Sequence, residues 1–578
     1  MKQSNTIQPP GTADIVILGA GLAGLTLALQ IRQSHPDVSI AMLEKNTFPL
    51  EEAAHKVGES TVEIGAHYFA DVLECRKHLE TDELPKLGLR YFFTRDGNAK
   101  IDQRLEFGSN RFFPTGSFQI DRGRFENYLA EKCRASGILL LEGARVRDVS
   151  VHPGDRLPGD RLPGDRHIVT FTQGSEEQRQ IESRWLIDAA GRSSVLKKKL
   201  GLEADSNHHT NAVWFRIAEE ISLNEWSDDP QFTKENVGEY SRWFSTNHLM
   251  GRGYWVWLIP LASGSTSVGI VADPAVHPLS EFNSLDKAMD WLRRNEPQCA
   301  SHIEPHLGKL QDFLALKHYS HWCKQVFSSE RWAVTGDAGL FIDPLYSPGS
   351  DFIALSNTFI ADLISKDLAD DRLDTYAHVY NEVYLGFASN TFSVFENQYP
   401  ILGNATVMPM KIIWDFATYW GFLAWVFFQK QQCNLLMLSR LRNYLGQVSE
   451  MNMFMQHFFR EWNKIPQPEI GGRMIDIQRI EFLYAMNERL REPVSETEFE
   501  AQLIRNVALL QELKQELLGI ASRGAKLPGG LLANLELPDQ IAPLPSTALE
   551  KINDQSPSVT GAKPLRKRGA VASSEANA

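Results

Sequence analysis

The chain has 578 residues, 59 of them basic and 72 acidic, for a formal net charge of -13. That length suits roughly two to four domain-sized units, and the acidic balance argues against nucleic acid as the main partner. Hydrophobic residues at 43% and charged residues at 23% fit a globular protein with large cores and exclude a fibrous or wholly disordered chain.

The cysteines Cys75, Cys133, Cys299, Cys323 and Cys433 are scattered and form neither a CxxC nor a Cys/His cluster. They read as reduced thiols of a cytoplasmic protein, with no metal site expected. Met1 to Pro10 is polar and lacks the apolar stretch of a secretory signal. No uninterrupted apolar run reaches the roughly 18 residues of a membrane span. The nearest, Ile412 to Phe428, is broken by Asp415, Thr418 and Tyr419.

In chain order, Asp14 to Leu18 is a short buried strand that runs into Gly19-Ala20-Gly21-Leu22-Ala23-Gly24, and Leu25 to Arg32 reads as a helix. Val38 to Leu43 is a second buried strand, closed by Glu44. This order opens a doubly wound α/β domain with a parallel sheet. Phe69 to Leu84 reads as helical, Leu89 to Phe93 as a strand, and Gly116 to Asp121 leads into a helix over Arg124 to Ala135. Ile138 to Arg147, His167 to Thr172 and Trp185 to Asp188 read as strands. Between the first two, Pro153 to Arg166 repeats the unit PGDR, the mark of an expanded surface hairpin loop. Trp243 to Met250, Trp255 to Ile259 and Ser265 to Val271 read as antiparallel strands of a second sheet laid over the first domain, and Leu279 to Arg293 as a helix within that unit.

The reading gives a module over 11–375, with a substrate-side sheet inserted around 85–120 and 205–310, and a helical, aromatic-rich region over 376–525 without strand alternation. Its predicted helices are Ile412 to Gln429, Asn434 to Tyr444, Met451 to Trp462 and Thr497 to Leu518. Trp414, Phe416, Tyr419, Trp420, Phe422, Trp425, Phe427 and Phe428 leave one helix apolar around its circumference. Such a helix is core, or lines a tunnel for an apolar substrate or carrier contact. With Lys411 and Lys430 at its flanks, it can also rest on a membrane surface. The tail over 553–578, with its run Arg566-Lys567-Arg568, is expected to be disordered.

Gly19, Gly21 and Gly24 satisfy GxGxxG in the required place, after a strand and at a helix start. The first glycine permits the tight turn, the second lets backbone approach a pyrophosphate, and the third lets helix and strand pack closely. The helix N-terminus offers free N–H groups to phosphate. Glu44, 20 residues after Gly24 at the end of the next strand, suits a ribose hydroxyl pair. Trp332 to Asp337 reads WAVTGD, and this strand and Gly-Asp turn resemble the motif that flavin monooxygenases of the hydroxybenzoate-hydroxylase type set against the ribityl chain of FAD. Ile187 to Arg192, IDAAGR, resembles their middle strand-turn motif.

Four further segments narrow the resemblance. They are Lys56-Val57-Gly58-Glu59-Ser60, Gln119-Ile120-Asp121-Arg122, the WxWxIP of Tyr254 to Pro260, and Asp343 to Gly349, DPLYSPG. Together they resemble the flavin-dependent halogenases, over about residues 11 to 370. The resemblance implies FAD as cofactor, held by Gly19, Gly21, Gly24, Glu44, Lys45, Arg122, Asp337 and Gly349. It implies a two-component enzyme that receives reduced FAD from a separate flavin reductase. With oxygen and halide the family makes hypohalous acid, which a lysine presents to an electron-rich carbon of an aromatic or lipid-like, in some members carrier-bound, substrate. Trp255, Trp257, Phe341 and Pro344 would line the channel between flavin and substrate, although Trp255 and Trp257 also read as core packing on one strand face.

Lys86, in a KxGxx segment followed by Tyr91, is the candidate lysine, and the alternative is a surface lysine before a strand. The slot of the tryptophan-type lysine holds Arg90, which stays protonated and forms no comparable haloamine. Ser347, Gly349 and Ser350 are the halide candidates, where Pro348 removes one N–H donor. Asp351 reads as an acid/base group or as a carboxylate at a helix N-terminus, and Glu59 as a pocket carboxylate or a turn partner. Pro348 keeps a second activity open: an FAD monooxygenase or dehydrogenase on the same scaffold that uses no halide.

Overall fold

The computed structural model describes residues 11–52, 56–94, 98–151, 166–174, 177–235, 240–466, 474–524, 529–533, 541, 543–545 and 552. Nearly all of the Pro153 to Arg166 repeat, and the tail from Asn553, lie outside the described residues.

Strand Thr12–Leu18 buries Ile15, Val16, Ile17 and Leu18 on both faces, as a central parallel strand requires. It lies between Ile40–Glu44 and Gln178–Asp188, both parallel to it, with Ile15 opposite Ile40 on one side and Trp185 on the other. Leu139–Glu142 extends the sheet beyond Ile40–Glu44. Trp332–Val334 pairs in parallel with the end of Gln178–Asp188. Leu18 is thus opposite Asp188, and Asp188 opposite Val334, so the glycine turns that follow these strands open on one edge. That is the carboxyl edge, where open α/β sheets bind their ligands. The antiparallel strands His167–Gln173 and Ala144–Ser150 complete the sheet.

An eight-stranded second sheet runs in the order Leu310–Leu316, Asn211–Ile217, Thr266–Ala272, Tyr254–Pro260, Thr246–Gly251, Leu89–Phe93, Leu105–Gly108, Met474–Asp476. The expected antiparallel pairing holds among its middle strands, but Thr246–Gly251 is parallel to Leu89–Phe93. The long stretch of chain between those two strands supplies the crossover that a parallel pair needs. Met474–Asp476, from the region expected to be helical throughout, adds a short parallel strand beside Leu105–Gly108.

The helix expected over Phe69 to Leu84 is broken. A wide turn at Tyr68–Val72 is followed by Glu74 with φ of 55° and a short helix Arg76–Asp82. Pro85 cannot continue a helix and drives Leu84 into extended backbone. Leu84–Lys86 is therefore a strand, paired with Ser117–Gln119 so that Lys86 faces Ser117.

In the C-terminal region, Val407–Thr418, a wide turn Tyr419–Ala424 and Trp425–Phe428 follow one another without a break. Two expected helices merge into one, Leu435–Asn463, because Gly446 sits mid-helix in open space and interrupts nothing. This helix packs on Val407–Thr418 and on Glu496–Arg523, while Leu373–Ser393 packs between it and Gly349–Leu368. Trp414, Trp425 and Trp462 are buried in this core. Lys411 is also buried and paired with Asp415 at 2.5 Å, so it is not the surface cation that membrane contact required. Among the described residues no helix is long and apolar enough to cross a membrane.

Candidate functional site: two cavities divided by one loop

A cavity of about 640 Å³ opens at the carboxyl edge of the parallel sheet. Gly19 takes φ of 97°, which turns the chain out of the strand. A Cβ on Gly24 would stand 2.1 Å from the Gly19 carbonyl oxygen, so this glycine lets the helix sit on the strand. A Cβ on Gly21 would meet no protein atom within 4 Å, yet Gly21 lines the cavity. Its bareness serves whatever fills the cavity rather than protein packing. Helix Leu22–Ser34 begins at this wall with no capping side chain and no acidic residue in its first turn, leaving its N–H groups for phosphate.

Glu44 lines the same cavity. Its carboxylate accepts the Ala20 N–H at 2.8 Å and the Asn46 N–H at 2.9 Å. Each oxygen keeps a lone pair for a ribose hydroxyl. Lys45 is exposed at the mouth, and Arg122 lines the wall while bonding Glu126 at 2.6 Å and the Val57 carbonyl. Asp337 sits on the short turn Gly336–Ala338; burial raises its carboxyl, against the fields of Arg192, Arg122 and Lys197. Arg192 belongs to the expected middle motif but had no assigned role. It lines the cavity and lies over Phe341 at 5.7 Å. A bare Gly21, an uncapped helix start, a ribose carboxylate and these cations together fit FAD.

Trp255 and Trp257 are buried with their rings 5.5 Å apart, and both line this cavity, as do Phe341 and Pro344. The two tryptophans are therefore core residues and cavity wall at once. The Trp255 indole N–H donates to the Tyr399 hydroxyl at 3.0 Å, and that of Trp257 to Ser267 at 3.2 Å. Glu59 accepts from Arg216 at 2.6 Å and from Ser267 at 2.9 Å. Burial raises its carboxyl and Arg216 pulls it back. Glu59 thus ties the Lys56–Ser60 loop to the second sheet and does not meet Lys86 or Asp351.

A second cavity, of about 310 Å³, lies on the other side of the DPLYSPG loop. Ser347, Gly349 and Ser350 face the first cavity; Tyr346, Pro348 and Asp351 face the second. Gly349 and Ser350 open helix Gly349–Leu368, whose N-cap is Pro348. The Ser350 hydroxyl is buried without a partner.

Lys86 is 2% exposed and lines the second cavity, against the expectation of a surface lysine. Its ammonium donates to Ser60 Oγ at 2.8 Å and to the Thr61 carbonyl at 2.6 Å. Ser60 lines the first cavity and is bonded to Thr246 at 2.9 Å and to Ser347 at 3.0 Å. One hydrogen-bond chain thus crosses the partition. Burial lowers Lys86 from 10.5 to about 7, with Glu63 and Asp351 acting in the opposite sense. Arg90 lines neither cavity and is spent on Glu106 and Ser245.

Asp351 is 1% exposed. Its carboxylate accepts the Gly65 N–H at 2.8 Å and the Tyr419 hydroxyl at 2.7 Å, and burial raises it to about 8. Glu63, from the short helix Glu63–His67, lines the same cavity and is also raised by burial. Sequence reasoning missed Glu63 and Tyr419. Glu63 follows Ser60 with no motif of its own, and Tyr419 hides in an aromatic run. Most of the remaining wall is apolar, with Phe113, Phe352, Phe387, Phe416 and Leu423, and Glu382, Asn390 and Asp415 add polar groups elsewhere on it.

Comparison with known proteins agrees with this architecture. Residues 108–389 match the family model described as tryptophan halogenase, and residues 17–80 an NAD(P)-binding Rossmann-like domain. The chain is 28% identical over 431 residues to flavin-dependent halogenase chlA of Dictyostelium discoideum, spanning 71% of this chain and 70% of that protein. It is 24% identical over 376 residues to a 1H-pyrrole-2-carbonyl peptidyl-carrier-protein chlorinase of Pseudomonas fluorescens, spanning 60% and 74%. The solved structure of halogenase PltM covers 86% of this chain and 96% of its own, with a TM-score of 0.61 and 14% identity, a likeness of fold. The protein is an enzyme of the flavin oxidoreductase type with FAD as its cofactor. With its glycine turns, WxWxIP strand and divided cavities, the chain is similar to the flavin-dependent halogenases in sequence and in fold.

Proposed function

We propose that the protein halogenates an apolar aromatic substrate held in the second cavity, with Lys86 as the residue that presents the oxidant. The observation that carries this is the buried Lys86 on the partition, joined through Ser60 to the cavity lined by the dinucleotide motif. FAD, when bound and reduced, supplies the electrons that activate oxygen and, with halide, generate hypohalous acid. Gly19, Gly21, Gly24, Glu44, Lys45, Arg122, Asp337 and Gly349 would hold it.

The remaining work falls to this chain's residues. Ser347, Gly349 and Ser350 offer a hydroxyl and helix-terminal N–H groups to a halide on the first-cavity side. Trp255, Trp257, Phe341 and Pro344 wall that cavity and keep an aromatic substrate off the flavin side. A lysine near 7 is partly neutral at neutral pH, so its amine can take the oxidant or hold it by hydrogen bonds. The apolar second cavity excludes water from the oxidant and favours a substituted arene over a sugar. A separate flavin reductase supplies the reduced flavin, since one GxGxxG fingerprint serves FAD alone.

The test supplies reduced FAD, oxygen and bromide with a panel of phenols, indoles and pyrroles, free and carrier-bound, and reads product mass. A bromine isotope pattern that Lys86→Ala abolishes, while flavin oxidation continues, is the expected result. An oxygen gain without bromine would overturn halogenation in favour of a monooxygenase.

A further inference from the structure

The polar end of the second cavity holds more than the lysine. Lys86, Glu63, Asp351 and Tyr419 all line it, each from a different segment of the fold. Asp351 Oδ1 takes the Gly65 N–H and Oδ2 the Tyr419 hydroxyl. A carboxylate has about four acceptor positions, so two remain for the cavity. The wide turn Tyr419–Ala424 brings Tyr419 to this point and places the Trp420 indole N–H near Glu63 without closing a hydrogen bond. A buried carboxylate with spare acceptors at the end of an apolar cavity is costly unless a ligand donor meets it.

We propose that Asp351 accepts the hydroxyl proton of a phenolic substrate, and that the cavity selects phenols over arenes without a hydroxyl. This rests on the halogenation reading above and names its substrate class. As the ring carbon attacks the halogen of hypohalous acid held at Lys86, the carbon–halogen bond forms and the halogen–oxygen bond breaks. The phenolic proton passes to Asp351, and the Lys86 ammonium protonates the departing hydroxide to water. The ring then loses its own proton to the Lys86 amine while Asp351 returns a proton to the oxygen. Arene and hypohalous acid become haloarene and water, and both side chains regain their starting charge. Burial, with a smaller push from Glu63 at the same end, raises Asp351 into the range where a carboxyl can both take and return a proton; Tyr419, the Gly65 N–H and Lys86 favour its ionised form.

The test has a binding arm on the FAD-loaded protein. 2-Naphthol and 2-methoxynaphthalene carry a hydroxyl and a methoxy group at the same ring position, so only the first has a proton for Asp351 to accept. Calorimetric titration of wild type should show naphthol bound at least about tenfold more tightly than its ether. Asp351→Leu, which has no acceptor, should reduce that ratio to near one, and Asp351→Glu should keep part of it. Retained flavin absorbance and circular dichroism confirm that each variant is folded. A ratio near one in wild type, no binding of either compound, or an unchanged ratio in Asp351→Leu would overturn the inference. Should product mass show oxygenation in place of bromination while the binding ratio still depends on Asp351, halogenation falls and the phenol site stands.

Discussion

Replacing Lys86 by Met should make the protein more stable at neutral pH while removing its halogenation activity. Burial lowers Lys86 from 10.5 to about 7. At about 1.4 kcal/mol per tenfold, keeping the charged form in this cavity costs on the order of 5 kcal/mol relative to the unfolded chain. Methionine has similar length and no charge, so that cost disappears. The Thr61 carbonyl and Ser60 hydroxyl lose the donor they now share, at about 1–3 kcal/mol. The balance is a gain on the order of 3 kcal/mol below about pH 7.

The sign then changes with pH. Folded Lys86 releases its proton more readily than unfolded Lys86, so between about pH 7 and about pH 10.5 the unfolded wild type binds more protons and wild-type stability rises with pH. The advantage of Lys86→Met should fade across this window. Near its upper end only the lost hydrogen bonds remain, and the variant becomes the less stable protein. Urea unfolding midpoints of the two proteins, compared at about pH 6.5 and about pH 10.5, read this directly. A variant that is less stable at the lower pH, or offset equally at both, would refute the electrostatic account of the site.

Gly21→Val should fold but lose at least about tenfold in FAD affinity, because its side chain enters cavity space and not protein packing; flavin absorbance per folded chain checks this, and normal occupancy would sink the placement. The purified protein should reduce its FAD slowly with NADH or NADPH and turn over once a flavin reductase is added. Rapid, saturable reduction by a nicotinamide in stopped-flow absorbance would make it a single-component enzyme. Pro348→Thr restores an N–H and a capping hydroxyl at the start of helix Gly349–Leu368, so bromide should bind more tightly with FAD retained; an unchanged bromide dependence of product formation would show that Gly349 and Ser350 suffice.

The flavin side of the molecule was legible because each of its parts is local. A strand, a glycine turn and a helix start are contiguous in sequence, and Gly19, Gly21, Gly24 and Glu44 lie within 26 residues. The parallel sheet then has little choice but to bring Leu18, Asp188 and Val334 side by side. The substrate side depends on contacts that no local pattern announces. Tyr419 reaches Asp351 across 68 residues, from the first position of a wide turn in the aromatic helix. Lys86 looked like a loop lysine because the strand that buries it has only Leu84–Lys86 to show for itself. The parallel pairing of Thr246–Gly251 with Leu89–Phe93 has the same cause, since the strands are unmistakable one by one and their order is set by distant chain.

The DPLYSPG loop shows where a motif stops being informative. The sequence marks Asp343 to Gly349 as one unit, yet its residues serve two spaces. Asp343 anchors it, accepting from the Tyr319 and Tyr399 hydroxyls at 2.7 Å each and meeting His208 at 2.8 Å. Ser347 then takes φ of 58°, a left-handed conformation uncommon for a residue with a side chain, and reverses the chain between Tyr346 and Pro348. Helix Gly349–Leu368 starts immediately afterwards, with Gly349 and Ser350 lining the first cavity and Asp351 the second. A proline is tolerated at the N-cap because no intrahelical bond uses an N–H there, and it lines the second cavity. Pro348 and Asp351 both line the lysine-side cavity, whereas Ser347, Gly349 and Ser350, the residues the sequence offers for a halide, line the other. In the proposed reading, halide binding at Ser347, Gly349 and Ser350 and proton transfer at Asp351 then fall on opposite sides of the same seven-residue loop and the helix that follows it.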